Sequence, residues 1–205
     1  MSCPEDSFYL RHTEVVAKEL IGKKLVRILK KDGKNCRLAG IIVETEAYGY
    51  SNDSASHAHS GMTRRNAAMF GKVGRAYVYF TYGNHFCVNV SARSNEVDAG
   101  AVLIRGLMPI EGVEIMRQFR SVYNSDSGRN IFSLTSGPGK LAQALSINLM
   151  LNGASMTDFR SKLHIEFGIE PRFIVSTPRI GITKATDKNW RFLDPFNPFI
   201  SHKVT

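Results

Sequence analysis

The sequence predicts one mixed domain of the α/β (α+β) class, built on β-hairpins with flanking helices. A chain of 205 residues with 43% hydrophobic and 22% charged composition suits a single globular core. Two pairs of β-rich segments flank short turn signals, as hairpins do. Segments with helical spacing of apolar residues lie around them, with no internal repeat or low-complexity tract.

Taken in order, Thr13 is placed to cap a short helix over Glu14 to Ile21. Val15, Val16, Leu20 and Ile21 fall at roughly helical spacing, and Gly22 is its stop. Lys24 to Leu29 and Cys36 to Glu46 read as strands around Lys31-Asp32-Gly33-Lys34, which contains the Asp-Gly hairpin cue. Tyr48 to Gly74 is rich in Gly, Ser, Asn, His and Arg with little periodicity, and connections that long are usually functional. Ala76 to Thr81 and Phe86 to Ser91 alternate around Tyr82-Gly83-Asn84-His85, a second hairpin with Tyr82 close to its tip. Ala101 to Leu107 reads as a largely buried strand. Ile110 to Phe119 reads as a helix, with Ile115, Met116 and Phe119 at helical spacing. Ser136-Gly137-Pro138 opens another through Lys140 to Ile147, and Ile165 to Ile182 holds further short strands.

The 27 Lys+Arg against 18 Asp+Glu give a net charge of +9, which suits a polyanionic partner, although a merely basic soluble protein has the same balance. Cys3, Cys36 and Cys87 are odd in number and widely spaced, which argues against a disulfide framework or zinc ribbon and fits a reducing compartment. The N-terminal stretch has no secretory pattern, and no apolar run approaches membrane-spanning length. The expectation is a soluble intracellular protein, in a bacterial cytoplasm or a eukaryotic nucleus, with no membrane partner.

Chemistry concentrates in five places. Residues two apart on a strand share a face, so Glu44, Glu46 and Tyr48 project together and two carboxylates approach one site. A polar strand face in water gives the same pattern. On the second hairpin Tyr77 and Tyr79 share one face, and Cys87, Asn89 and Ser91 share one face of the mate. This is an aromatic, amide-lined patch, or a tyrosine-rich surface packed under a helix. Tyr82 near a hairpin tip can wedge into a base stack or lie back on its own hairpin. Arg64, Arg65, Lys72 and Arg75 precede that hairpin, where they can grip phosphates or form a solvated face. Ser136-Gly137-Pro138-Gly139-Lys140 can aim backbone N–H groups and a lysine at another phosphate, or serve as an ordinary helix-opening turn.

These ordered segments resemble the alkyladenine (3-methyladenine) DNA glycosylase family, the aromatic-pocket class that removes alkylated and deaminated purines. The resemblance runs from about Leu20 to Ser201. It is carried by Val43-Glu-Thr-Glu-Ala-Tyr48, Ala55-Ser-His57, Thr63-Arg-Arg-Asn66, Met69-Phe70, Tyr77-Val-Tyr79, Tyr82-Gly83, Asn89, Leu103-Ile-Arg105 and Ser136-Gly-Pro-Gly-Lys140.

The resemblance implies that Glu46 is the general base, that Arg105 helps hold the nucleophilic water, and that Tyr82 intercalates. Glu44 is not carried over as catalytic. Tyr48, His57, Tyr79, Asn89 and Leu103 match the base pocket, with Asn89 excluding normal guanine by clashing with its exocyclic amine. Thr63, Met69 and Lys140 match DNA-contacting positions, and Arg64 and Arg65 of the basic loop are expected to contact the duplex with them. The implied fold is a curved antiparallel sheet with flanking helices and the Tyr82 hairpin protruding, acting as a monomer on double-stranded DNA containing a damaged purine. Arg64 stands where proline is found among relatives, and Asn84 and His85 where bulkier apolar or aromatic residues are found, which bears on lesion range.

The chemistry agrees with that resemblance. A base inside a duplex is unreachable, and flipping it costs a few kcal/mol that stacking and a wedge offset. A methylated purine such as 3-methyladenine is cationic and is drawn to ring faces by about 0.5–2 kcal/mol. Glycosidic cleavage builds oxocarbenium character, which a nearby carboxylate stabilises while deprotonating a water. The matched motif offers no amine for a Schiff base, so no lyase step is expected, and neither is a cofactor or metal. Two rivals remain at this point: a metal-dependent nuclease using Asp53, His57, His59 and Glu46, and a non-catalytic damaged-DNA-binding protein.

Overall fold

The computed structural model describes residues 2–81, 83–121 and 131–203. An eight-stranded sheet organises them: β1 (Lys24–Lys31), β2 (Lys34–Tyr48), β3 (Ala76–Thr81), β4 (His85–Ser91), β5 (Ala101–Glu111), β6 (Leu163–Glu166), β7 (Val175–Thr177) and β8 (Arg191–Leu193). The order runs β3-β4-β5-β2-β1-β6, with β8 pairing both β2 and β7. Each of these pairings is antiparallel, and the sheet curls into a half-barrel. Five helices flank it: α1 (Asp6–Tyr9), α2 (Thr13–Leu20), α3 (Ala67–Phe70), α4 (Val113–Phe119) and α5 (Pro138–Ala144). The α/β class with a curved antiparallel sheet is therefore as expected.

Both hairpins follow from local chemistry. Asp32 and Gly33 take φ of 51° and 76°, closing a two-residue turn between the paired Lys31 and Lys34. That is the left-handed geometry for which Asp-Gly is favoured. The second hairpin pairs Tyr77 with Asn89 and Tyr79 with Cys87, so these four side chains share one face. Tyr82, the expected wedge, lies outside the described residues, while Gly83, Asn84 and His85 beside it are exposed.

Several boundaries differ from the sequence reading. Thr13 is the first residue inside α2 and not its cap, and Val15 is 40% exposed while Ala17 takes the buried position. Lys34 and Asn35 belong to β2, which lengthens the first hairpin. Ile110 and Glu111 finish β5, where Glu111 pairs with Ala39. The following helix starts only at Val113, after Gly112 adopts a left-handed backbone. Ladder pairing outcompetes helical spacing there. The helix expected through Ile147 ends at Ala144, with Pro138 in its first turn.

A principal core of Val16, Ala17, Leu20, Leu25, Ile42, Val78, Val88, Ile104, Leu107, Met116 and Leu141, among others, fills the space between sheet and helices. A smaller cluster of Ala58, Met69, Tyr77, Ala99 and Ala101, with Tyr48 and Tyr79 packed against it, lies at the end of the sheet that carries the site. Cys3, Cys36 and Cys87 are free thiols. Among the described residues, no helix is long and apolar enough to cross a membrane.

Gly22 stops α2 and also lets another segment pass. Its φ is 88°, and a Cβ there would stand 2.0 Å from the Ile169 carbonyl oxygen, while the Ile169 N–H donates to Gly22 O at 2.9 Å. Gly22→Ala is expected to lower stability by about 2 kcal/mol or more. Gly33→Ala, which meets nothing within 4 Å, is expected to cost about 1 kcal/mol; thermal melts of the two variants check the ranking.

Candidate active site

The central strand β2 is buried on both faces through its second half, and this sets the geometry. Thr45 points one way and donates to the Ala17 carbonyl of α2 at 2.8 Å. Glu44 and Glu46 point the other way, and both are 0% exposed. The face that resembled a solvated polar surface is thus an interior one. Two buried carboxylates require partners, and the neighbouring strands supply them. Arg105 of β5 donates from Nε to Glu44 at 3.1 Å and from Nη1 to Glu46 at 3.2 Å. Arg191 of β8 donates to Glu44 at 2.7 Å. Ser201 adds its backbone N–H and its hydroxyl.

The roles of the two glutamates diverge. Burial alone would push the Glu44 carboxyl up, but Arg105, Arg191 and the Ser201 N–H hold it below the ordinary carboxylate value. Glu44 accepts from two guanidiniums and from the Ser201 N–H and hydroxyl. Burial opposes the charge on Arg105, yet the paired Glu46 and Glu44 push its pKa upward, so it stays protonated. Glu46 accepts from the Tyr48 hydroxyl at 2.8 Å and from Arg105 on one oxygen, and from the Ile180 N–H at 2.7 Å on the other.

Beside this carboxylate opens a cleft of about 700 Å³, lined by Tyr48, His57, Tyr79, Asn89, Leu103 and Arg105 among others. These are the expected base-pocket residues together with one of the two expected catalytic ones. Glu46 itself is not on the cleft wall; it sits immediately behind Tyr48, Arg105 and Ile180, which are. His57 packs edge-on to Tyr79, ring centroids 4.7 Å apart, and its Nδ1 lies 2.9 Å from the Tyr77 hydroxyl. Burial, reinforced by Arg65, pushes His57 below its ordinary value and keeps the ring neutral at pH 7. Burial pushes the Tyr77 hydroxyl up to about 12 and drives Tyr48 and Tyr79 upward as well. The aromatic wall therefore carries no charge of its own near neutrality. Asn89 is 3% exposed, and its amide donates to the Tyr77 carbonyl at 2.9 Å, which fixes its orientation.

The expected DNA contacts are spread differently. Lys140, exposed at the start of α5, lines the cleft beside Gly139, which packs near His85 of β4. Its loop is tied to the site by a Gly137 N–H to Arg105 O bond at 2.9 Å. Thr63 and Arg64 are exposed in the long connection. Arg65, also exposed, stands over the Tyr79 ring at 5.5 Å and donates to Phe80 O at 3.1 Å. Met69 is 2% exposed; it packs with Tyr77 and Ala101 and lines the cleft.

The metal ligands of the nuclease alternative are not gathered. Both Asp53 oxygens accept from Arg179 at 2.6 Å, and no group of three His, Cys, Asp or Glu stands together among the described residues. Arg179 and Ile180 escaped the sequence reading; an isolated arginine before an apolar residue carries no motif signal.

Comparison with known proteins bears on this arrangement. The family model described as methylpurine-DNA glycosylase (MPG) matches residues 7–198. Curated relatives carrying the name 3-methyladenine DNA glycosylase come from Rhodopseudomonas palustris, 49% identical over 90% of this chain and 83% of theirs, and from Methanocella arvoryzae, 44% identical over 98% and 96%. One from Prosthecochloris aestuarii is 44% identical over 95% and 88%. The class is thus that of DNA-repair glycosylases acting on alkylated purines. Within it, the chain belongs to the methylpurine-DNA glycosylase family.

The Glu44 network yields an expectation in pH. Its native pKa is depressed, so its contribution to stability is complete above the ordinary 4.5 and is lost as pH falls through the native value. Glu44→Gln is expected to cost about 3 kcal/mol near neutrality, with the gap to the parent closing in acid. Melting curves between pH 7 and 3 measure it.

Proposed function

We propose that this chain is a monofunctional glycosylase of base-excision repair that flips an alkylated or deaminated purine out of double-stranded DNA. It then hydrolyses the N-glycosidic bond with a water activated by Glu46. Substrates of the 3-methyladenine, 7-methylguanine, hypoxanthine and ethenoadenine type fit the reading. The observation that carries it is the Glu46 carboxylate, oriented by Tyr48, Arg105 and the Ile180 N–H immediately behind the wall of an aromatic-lined cleft of about 700 Å³.

In this mechanism the flipped base stacks among Tyr48, His57 and Tyr79. Their neutrality leaves the ring faces attractive to a cationic alkylated purine, which a protonated histidine would repel. Asn89 discriminates against guanine by meeting its exocyclic amine with a fixed amide. As the glycosidic bond lengthens, positive charge grows on the sugar, and Glu46 stabilises it while taking a proton from the attacking water. Arg105 helps position that water and keeps Glu46 aimed. Lys140, Thr63, Arg64 and Arg65 are assigned to the duplex, and Tyr82 to the gap left by the departed base. No residue is assigned to a covalent step, so the abasic strand is left intact.

Single-turnover excision on a duplex with one hypoxanthine or ethenoadenine, followed by alkali, tests the reading against simple damage binding. A binder leaves no alkali-labile site. Glu46→Gln is expected to abolish release while retaining lesion binding, and undiminished release would refute the assigned base. Tyr82→Ser is expected to weaken lesion-duplex affinity; unchanged affinity and unchanged single-turnover rate together would remove Tyr82 from the wedge role.

A further inference from the structure

Behind the wall of the cleft lies a second buried ion pair that the mechanism above does not use. Asp53, from the long connection, and Arg179, from the segment between β7 and β8, are joined by two parallel bonds of 2.6 Å, with both side chains 0% exposed. Such a bidentate pair fixes orientation as well as distance. Each partner also holds backbone next to the reacting residues. Asp53 accepts the Gly49 N–H at 2.9 Å, one residue after Tyr48. Arg179 donates to Ala47 O at 2.9 Å, between Glu46 and Tyr48. Its guanidinium lies over the Tyr48 ring at 4.7 Å and over Trp190 at 5.4 Å, and Trp190 O in turn accepts the Ala47 N–H at 2.8 Å. The next residue along, Ile180, supplies the N–H on Glu46.

We propose that Asp53 and Arg179 form a positioning pair for base release, fixing the plane of the Tyr48 stacking ring and holding the Ile180 N–H on Glu46. Neither residue lines the cleft, so neither touches the base; both act through Tyr48 and Glu46. This rests on the function proposed above. Lysine at 179 keeps a positive charge but has no fork to serve two Asp53 oxygens and Ala47 O while covering a ring. The pair therefore sets the reaction geometry beyond simply neutralising Asp53.

The test compares the parent, Arg179→Lys and the double variant Asp53→Leu with Arg179→Met, which leaves no unpaired buried charge if the lysine variant does not fold. Each is measured for thermal unfolding, lesion-duplex affinity by anisotropy, and single-turnover base release at saturating protein. The expected result is a folded variant with affinity within about threefold of the parent and release slowed by about tenfold to a hundredfold, the scale of a misplacement of about an ångström. A pair that serves only stability lowers the melting temperature and leaves the saturated rate of the folded protein at the parent value, and that result overturns the proposal. Glu46→Gln run alongside separates the two readings. Release by the parent, none by Glu46→Gln and a parental rate in the Arg179 variants defeats this inference alone. No release by the parent defeats the proposed function and this inference with it.

Discussion

Taking charge out of water is the constraint around which this end of the molecule is built. Glu44 and Glu46 sit on one face of a strand whose two sides are both covered, and both are fully buried. An isolated carboxylate there would cost far more than a domain's net stability and would be neutralised instead. Arg105 answers both at once from β5, and Arg191 answers Glu44 a second time from β8. The same two guanidiniums also hold the C-terminal segment: Arg191 donates to His202 O at 2.6 Å, and Arg105 to the Ser201 hydroxyl at 3.2 Å. Three strands and the C-terminal segment are thus joined through two carboxylates.

The two glutamates consequently divide labour by surroundings, not by residue type. Glu44 is enclosed by two guanidiniums and the Ser201 N–H and hydroxyl, and its charge is spent on architecture. Glu46 shares one of those guanidiniums, and its remaining contacts are a tyrosine hydroxyl and a backbone N–H at the margin of a large cleft. A carboxylate so placed is rigid and stands just behind the cleft wall, which suits the proposed role of a base in water activation. The uncharged aromatic wall beside it, to which Tyr48 belongs, complements it.

Legibility in the sequence followed the range of the interaction. The Asp-Gly turn was readable because two positive φ angles in succession demand those residues, and the Tyr77, Tyr79, Cys87 and Asn89 face because pairing fixes alternation. The common face of Glu44, Glu46 and Tyr48 was readable for the same reason, although its burial was not. That depends on Arg105 of β5, Arg191 of β8 and the C-terminal segment closing over it. Ile110 and Glu111 misled because their pattern also suits a helix, and only the partner strand decides. The burial of Met69 was not legible either, because exposure is a property of what packs around a residue.

What the sequence alone determined is the strand alternation, the turn chemistry and the ordered motifs that mark the family. Each is a local regularity of backbone geometry or a short run of side chains. What only the tertiary structure decided is which charges meet. Asp53 and Arg179 stand 126 positions apart, and Glu44 and Arg191 stand 147 apart. No periodicity links such residues; they become partners because the curled sheet brings β2, the long connection and the C-terminal segments into one dry interior, where an unpaired charge is not tolerated.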